Sequence, residues 1–321
     1  MEKNLVSLIA PFYNGEKYLE RFLKSVLSQT YYNVQFILVN DGSTDNSYDI
    51  VKKFEDELDK KFSEFIYLEQ ENGGAASAVN YALKYVKGEY LCWADCDDEL
   101  LPDNIYLKLN FLNNHREYGM VNCGAIAIDE CSGNKINSLI ISDENRFNNM
   151  FKQIIDGIPV YPGVFMIRTQ LLFNVLENRT IYFNREAGQN YQLLLPVAYF
   201  NKCGFIDEIL YKYYIRLDSH SHDVDYERAY KRTYVREELL DNVLSFMEEN
   251  EKKCLMEKIK TECCNERLNM AFHQNDKEKT NEAYKELIKN KYSIFFKNRV
   301  KHWIINVRIV NSIYRMKGKN K

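Results

Sequence analysis

The chain has 321 residues, 45% of them hydrophobic and 28% charged, with 43 Lys or Arg against 46 Asp or Glu and a net charge of −3. That length exceeds one minimal domain and can bury a large core. No apolar run approaches the roughly 18 residues that cross a bilayer, no signal peptide precedes Val6, and no internal repeat or low-complexity linker is visible. The first element is an apolar strand, Val6-Ser-Leu-Ile-Ala-Pro-Phe-Tyr-Asn14, expected to run into a turn at Pro11. Leu19, Phe22, Leu23, Val26 and Leu27 then recur at helical spacing. A second strand, Val34 to Val39, ends in Asn40-Asp-Gly-Ser-Thr-Asp45. A third, Phe65 to Leu68, leads into Glu71-Asn-Gly-Gly-Ala75 and a helix to about Val86.

The fourth strand, Tyr90 to Ala94, runs directly into Asp95-Cys-Asp-Asp98. Three carboxylates within four residues repel one another, and a buried strand end seldom carries them without a cation to share. Hard divalent ions such as Mg²⁺ and Mn²⁺ take oxygen ligands of this kind and keep open positions for phosphates. A solvated acidic turn before the helix near Pro102 is the plainer alternative. Strands alternating with helices predict a parallel, doubly wound sheet, and in such sheets ligands bind at the carboxyl ends of the strands. Pro11 to Asn14, Asp41 to Ser43, Asn72 to Gly74 and Asp95 to Asp98 all fall there.

In order and spacing these segments resemble glycosyltransferase family 2. The residues that carry the resemblance are Val6 to Asn14, Leu38 to Ser47, Asn72 to Asn80, Lys87 to Tyr90, and Asp95 to Asp98 with Pro102-Asp103. It is strong over roughly residues 4 to 110, weaker from about 160 to 222, and absent beyond. It implies the nucleotide-diphospho-sugar transferase (GT-A) fold: a mixed, mostly parallel sheet flanked by helices, here over residues 1–222; residues 223–321 are expected, from their own sequence pattern, to form a helical C-terminal extension. It also implies a nucleotide-sugar donor, and a Mn²⁺ or Mg²⁺ ion held through the Asp-x-Asp pattern that maps onto Asp95 and Asp97. Asp95 would face the ribose, and Asp97 would hold the metal that bridges the phosphates.

Chemistry gives the loop residues roles beside the resemblance. Phe12 and Tyr13 after Pro11 suit stacking on a flat base, or core packing for one of the two. With Asn14 they make up the first loop of the expected donor site. Asp41 can accept from a uracil N–H or a ribose hydroxyl, or start an Asx turn. Gly73 and Gly74 allow close backbone approach to a ligand, or a tight start to the following helix, and Asn72 and Gly73 are expected in the donor site.

The second half departs from the family pattern. Relatives carry a Glu-Asp pair at a helix start, the Asp serving as general base. Here Gln189 and Asn190 stand in that stretch. A carboxamide does not take a proton near neutral pH. The base is therefore expected elsewhere, with Asp98 and Glu186 the nearest candidates and Asn190 left to position the acceptor or cap the helix. The alternative is an inactive nucleotide-sugar-binding or scaffold protein. Arg216 resembles the family's diphosphate-closing Arg. His220 or His222 would complete the metal shell, or His222 would be a base. Beside Asp218 and Asp223 they equally fit a solvated loop.

The eight cysteines show no Cys-x-x-Cys or zinc spacing, which fits free thiols in a reducing cytoplasm. Residues 287–321 hold ten Lys or Arg and no acid, so the remainder carries 33 basic against 46 acidic residues, a net of −13. That acidic body argues against a nucleic-acid partner. The basic, aromatic-rich tail suits a helix on anionic lipid at the inner face of the plasma membrane, or a C-terminal helix packed on the protein. Helical patterns over about 226–290 predict a small bundle that covers the sheet or makes a homodimer. The expected activity is transfer of a hexose or N-acetylhexosamine, with inversion, from a UDP-sugar to a glycan or lipid-linked acceptor. A processive synthase is disfavoured, since no Arg precedes Trp93 or Trp303.

Overall fold

The computed structural model describes residues 1–138, 149–185, 188–216 and 225–307. The chain divides into two compact units, residues 1–219 and 220–321. The first begins with the alternation expected from sequence: β1 (Glu2–Phe12), α1 (Leu19–Leu27), β2 (Val34–Asn40), α2 (Ser47–Lys61), β3 (Glu64–Glu69), α3 (Ala75–Leu83) and β4 (Gly88–Trp93). β2 is buried along its whole length and β1 from Leu5 to Phe12, as strands covered on both faces should be. α1 buries Leu19, Phe22, Leu23 and Val26, the apolar stripe of its 3.6-residue period, and the Phe22 ring meets Phe36 of β2.

The unit continues with β5 (Glu99–Leu100), α4 (Asn104–Asn114), β6 (Tyr118–Asp129), β7 (Lys135–Ser138), α5 (Met150–Ile155), β8 (Phe165–Arg168), α6 (Thr169–Phe173), α7 (Gln189–Phe200) and β9 (Lys202–Ile215). One nine-stranded sheet results among the described residues, in the order β3-β2-β1-β4-β8-β6-β9-β5, with β7 on β6. The β3-β2-β1-β4 half is parallel. β8 pairs antiparallel with both β4 and β6, so the sheet reverses there. The fold is the expected mixed α/β sheet flanked by helices.

One detail corrects the sequence reading. Pro11 is not in a turn: it lies in β1, in register with Val39. Ile9 O accepts from Ala94 N at the end of β4, so the missing N–H of Pro11 points to the side where β4 has already stopped. The turn comes two residues later, with Asn14 at φ 48°.

The second unit is helical: α8 (Tyr226–Val243), α9 (Glu249–His273), α10 (Lys277–Lys289) and α11 (Phe296–Asn306). Asp225 and Asp276 cap α8 and α10 through Arg228 N and Lys279 N. Cys264, Leu268, Ala283 and Leu287 form a core where α9 meets α10, and Tyr284, Tyr292 and Ile294 pack on it. All eight cysteines are free. No helix among the described residues is long and apolar enough to cross a membrane.

Candidate active site

The carboxyl ends of β1, β2 and β4 open on one cleft of about 190 Å³, lined by Pro11, Phe12, Tyr13, Asp41, Ala75, Asp95, Cys96 and Asp97. The aromatic pair splits. Phe12 is buried in the core, while Tyr13 is 50% exposed and offers its ring to the cleft's edge. Asn14 joins two loops: its N–H donates to Ser43 Oγ (2.9 Å) and its Oδ1 accepts from Thr44 N (2.8 Å).

Asp41 is only 3% exposed and anchors the glycine loop. Its Oδ1 accepts from Gln70 Nε2 (2.7 Å) and Gly73 N (2.9 Å), and its Oδ2 from Gly74 N (2.7 Å). Gly74 has φ 89°, and a Cβ on Gly73 would sit 2.6 Å from Ser77 Oγ, so neither position accepts a larger residue without movement. Asn72 Nδ2 donates to Asp41 O (3.0 Å), and Arg185 Nη2 donates to Asn72 Oδ1 (2.8 Å). Asp41 is therefore first a loop clamp. Oδ2 has accepted one bond and keeps a lone pair for a ligand.

Asp95, Asp97 and Asp98 bring carboxylate oxygens within 4.8 Å of one another. Burial pushes the Asp95 pKa up to about 7, the neighbouring Asp97 charge adds to it, and Arg216 opposes. Arg216 Nη2 lies 2.5 Å from Asp97 Oδ2, its guanidinium 4.5 Å from the centre of the Tyr18 ring. A set of hard oxygens in partial excess over the nearby positive charge suits a Mn²⁺ or Mg²⁺ ion.

Asp98 does not fit the role of base. It is fully buried, its Oδ2 accepts from Tyr211 O–H (2.5 Å) and its Oδ1 from Tyr214 N (2.9 Å). Burial and the Asp97 and Asp95 charges hold its pKa well above the ordinary carboxylate range. A buried carboxyl whose two oxygens are both committed to β9 is not placed to collect a proton from an acceptor. Nor is Asn190 the helix cap. Gly188 holds that position, and Asn190 Oδ1 accepts from Trp93 Nε1 (2.8 Å) in the first turn of α7. Glu186, Asp218, His220, His222 and Asp223 lie outside the described residues.

Sequence reasoning missed Arg21. From α1 it donates to Asp97 O (2.6 Å) and to both oxygens of Glu130 (2.7 and 3.0 Å), its guanidinium 3.6 Å from the centre of the Tyr214 ring. It thus fixes the backbone of the acidic loop. On α1 it reads as one more solvated cation, and its partners are distant in sequence.

Residues 7–175 match the family model for glycosyl transferase family 2. An uncharacterized glycosyltransferase of Rickettsia typhi is 33% identical over 223 residues, which cover 69% of this chain and 57% of that protein. The chain thus spans little more than half of that relative's length. A minor teichoic acid biosynthesis protein of Bacillus subtilis, GgaB, is 31% identical over 222 residues, 67% of this chain and 23% of GgaB. Among solved structures, residues 1–349 of S. aureus TarS in complex with UDP-GlcNAc share the fold, with a TM-score of 0.60 at 21% identity over 97% of this chain and 92% of TarS 1–349. The chain belongs to glycosyl transferase family 2, with the sheet and helices of a glycosyltransferase.

Proposed function

We propose that the protein transfers a hexose or N-acetylhexosamine from a UDP-sugar to a glycan or lipid-linked acceptor in polysaccharide biosynthesis, with inversion at the anomeric carbon. The observation that carries the reading is the convergence of Tyr13, Asp41, Asp95 and Asp97 on one cleft at the carboxyl ends of three adjoining strands. The similarity to a UDP-GlcNAc-binding structure supports the donor, and the similarity to a teichoic acid biosynthesis protein supports a polymeric acceptor.

In this reading the uracil ring lies against Tyr13, and Asp41 Oδ2 and Asp95 meet the nucleoside's donors. Asp97, with Asp95, would hold a Mn²⁺ or Mg²⁺ ion, which would supply positive charge against that building on the departing diphosphate. The acceptor hydroxyl oxygen forms its bond to the anomeric carbon as the bond to the β-phosphate oxygen breaks. UDP leaves with that electron pair, and the hydroxyl proton passes to a base outside the carboxylates placed so far. Arg216, already beside the acidic loop, is a candidate partner for the phosphates. A non-catalytic nucleotide-sugar-binding protein is the second reading, favoured by one observation: Gln189 and Asn190 leave the start of α7 without a carboxylate.

The test is UDP-sugar hydrolysis in Mn²⁺, with UDP affinity measured by calorimetry. The transferase reading expects UDP release that Asp97→Asn abolishes. Tight UDP binding without any release supports the binding protein. No UDP binding at millimolar concentration defeats both.

A further inference from the structure

We propose that Arg216 competes with the divalent ion for Asp97, so that the acidic loop binds the ion weakly by itself and firmly only together with a nucleoside diphosphate. The proposal rests on the cleft being the donor site. Arg216 Nη2 donates to Asp97 Oδ2 at 2.5 Å, and Asp97 lines the cleft. The guanidinium lies 4.5 Å from the centre of the Tyr18 ring, and only 19% of the side chain is exposed. Its backbone follows Ile215, the last residue of β9, which is in register with Asp129 of β6. Sheet and ring together place this cation beside the carboxylate that it holds.

The loop leaves an ion few alternatives. Asp98 gives both oxygens to β9, through Tyr211 O–H and Tyr214 N, which leaves Asp95 and Asp97 to face the cleft. An ion that bridges these two sits next to the Arg216 guanidinium and is repelled by it. Arginine keeps its proton near neutral pH, so the repulsion does not titrate away. A nucleoside diphosphate reverses the balance. Its phosphate oxygens supply ligands to the ion and place negative charge beside two cations that otherwise oppose each other. Ion and nucleotide then each raise the other's affinity by the same factor, as linkage requires. The ion enters and leaves with the nucleotide, and the loop is not loaded with free ion between turnovers.

The first test is Mn²⁺ binding without nucleotide, read from the electron paramagnetic resonance signal of the free ion. Arg216→Met removes the charge and keeps an apolar chain beside Tyr18. It should bind Mn²⁺ about tenfold more tightly than wild type, the scale of one charge-assisted contact withdrawn. Arg216→Lys keeps the charge and should stay close to wild type. If Arg216 only braces the loop, Arg216→Met binds Mn²⁺ no better than wild type, or worse, and that outcome overturns the proposal. Melting curves confirm that both variants are folded. The second test is calorimetry of UDP with and without saturating Mn²⁺. The factor by which Mn²⁺ raises UDP affinity should be about tenfold smaller in Arg216→Met than in wild type, because the variant holds the ion already. If Arg216→Met does not fold, wild type decides alone: a UDP affinity that Mn²⁺ leaves unchanged overturns the proposal. If wild type binds no UDP at millimolar concentration, the donor-site reading falls, whereas nucleotide-free Mn²⁺ binding still decides whether Arg216 opposes the ion.

Discussion

Each unit of the chain buries charge, and the two do so in opposite ways. In the helical unit the Arg267 side chain is fully buried between two acids, Glu237 (2.6 Å) and Glu286 (2.9 Å), with Thr233 Oγ1 at 3.2 Å and the Tyr234 ring centre at 3.9 Å. Burial works against its charge, but Glu237 and Glu286 outweigh that and raise its pKa. In the sheet unit Asp95, Asp97 and Asp98 crowd together, with Arg216 paired to Asp97. The first cluster sets one guanidinium between two carboxylates from neighbouring helices, with Nε alone of its nitrogens unbonded, and its work is to hold helices together. Among the described residues the second sets three carboxyl groups against the guanidinium of Arg216, an arrangement suited to a cation that supplies the difference.

The largest effects should come from exchanging one side of each cluster. Arg267→Met leaves Glu237 and Glu286 facing an apolar chain. Breaking a buried pair from one side costs about 3–5 kcal/mol, so this variant should melt far below wild type or fail to fold. Asp97→Asn should do the reverse, abolishing UDP release while the melting temperature holds or rises, because it removes repulsion from Asp95 and Asp98. Calorimetric melting of both variants decides. A strongly destabilised Asp97→Asn would mean that the acidic loop is structural, like its counterpart.

A smaller effect sharpens the same contrast through pH. The folded pKa of Asp95 is raised from an ordinary 3.8 to about 7, so the folded state binds its proton more tightly than the unfolded chain does. The stability this contributes is fully present below about pH 4 and is lost as pH rises through 7. Metal-free protein should therefore lose melting temperature between pH 5.5 and 8. Mn²⁺ should restore it, and by more at pH 8 than at pH 5.5, since only the ionised cluster attracts the ion. Asp95→Asn should flatten the slope and shrink the Mn²⁺ effect. A Mn²⁺ shift equal at both pH values would sink this account.

What the sequence made legible follows the range of the interactions. The first four strands, two of the three helices between them and the loops at their ends are written in local patterns: apolar runs, a 3.6-residue stripe, Asp or Gly directly after a strand. Arg21–Glu130, Trp93–Asn190 and Arg216–Asp97 are separated by 109, 97 and 119 residues, and no local pattern announces them. The reversal at β8 is hidden for the same reason. A four-residue strand gets its direction from the neighbours it pairs with. Asp98 misled because a strand-end carboxylate reads the same whether it faces the cleft or, as here, β9.

The smallest expected effect concerns the outer face of α11, where the sequence left a lipid-bound helix and a packed helix open. In the structure one face of α11 is packed and the other exposed. On one face Asn298 and Ile305 are buried, Asn298 Nδ2 donates to Asn265 O (2.7 Å), and the His302 ring stacks on Tyr284 at 3.6 Å. On the other, Phe296, Val300 and Trp303 are 80%, 39% and 57% exposed. Spacings of four and three residues align them in a ridge, and exposed Lys297 and Arg299 flank it. We propose that this ridge rests on anionic lipid, which would bring the enzyme to a lipid-linked acceptor. Each cation near such a surface is worth about 1 kcal/mol and fades with salt. The protein should co-sediment with phosphatidylserine vesicles at low salt and be released at high salt. The double variant Phe296→Ser with Trp303→Ser should stay in the supernatant and keep its melting temperature and donor hydrolysis, because neither side chain supports the packed face or the cleft. Wild-type protein that stays in the supernatant at low salt removes the membrane from the reading and leaves α11 as a packed helix alone.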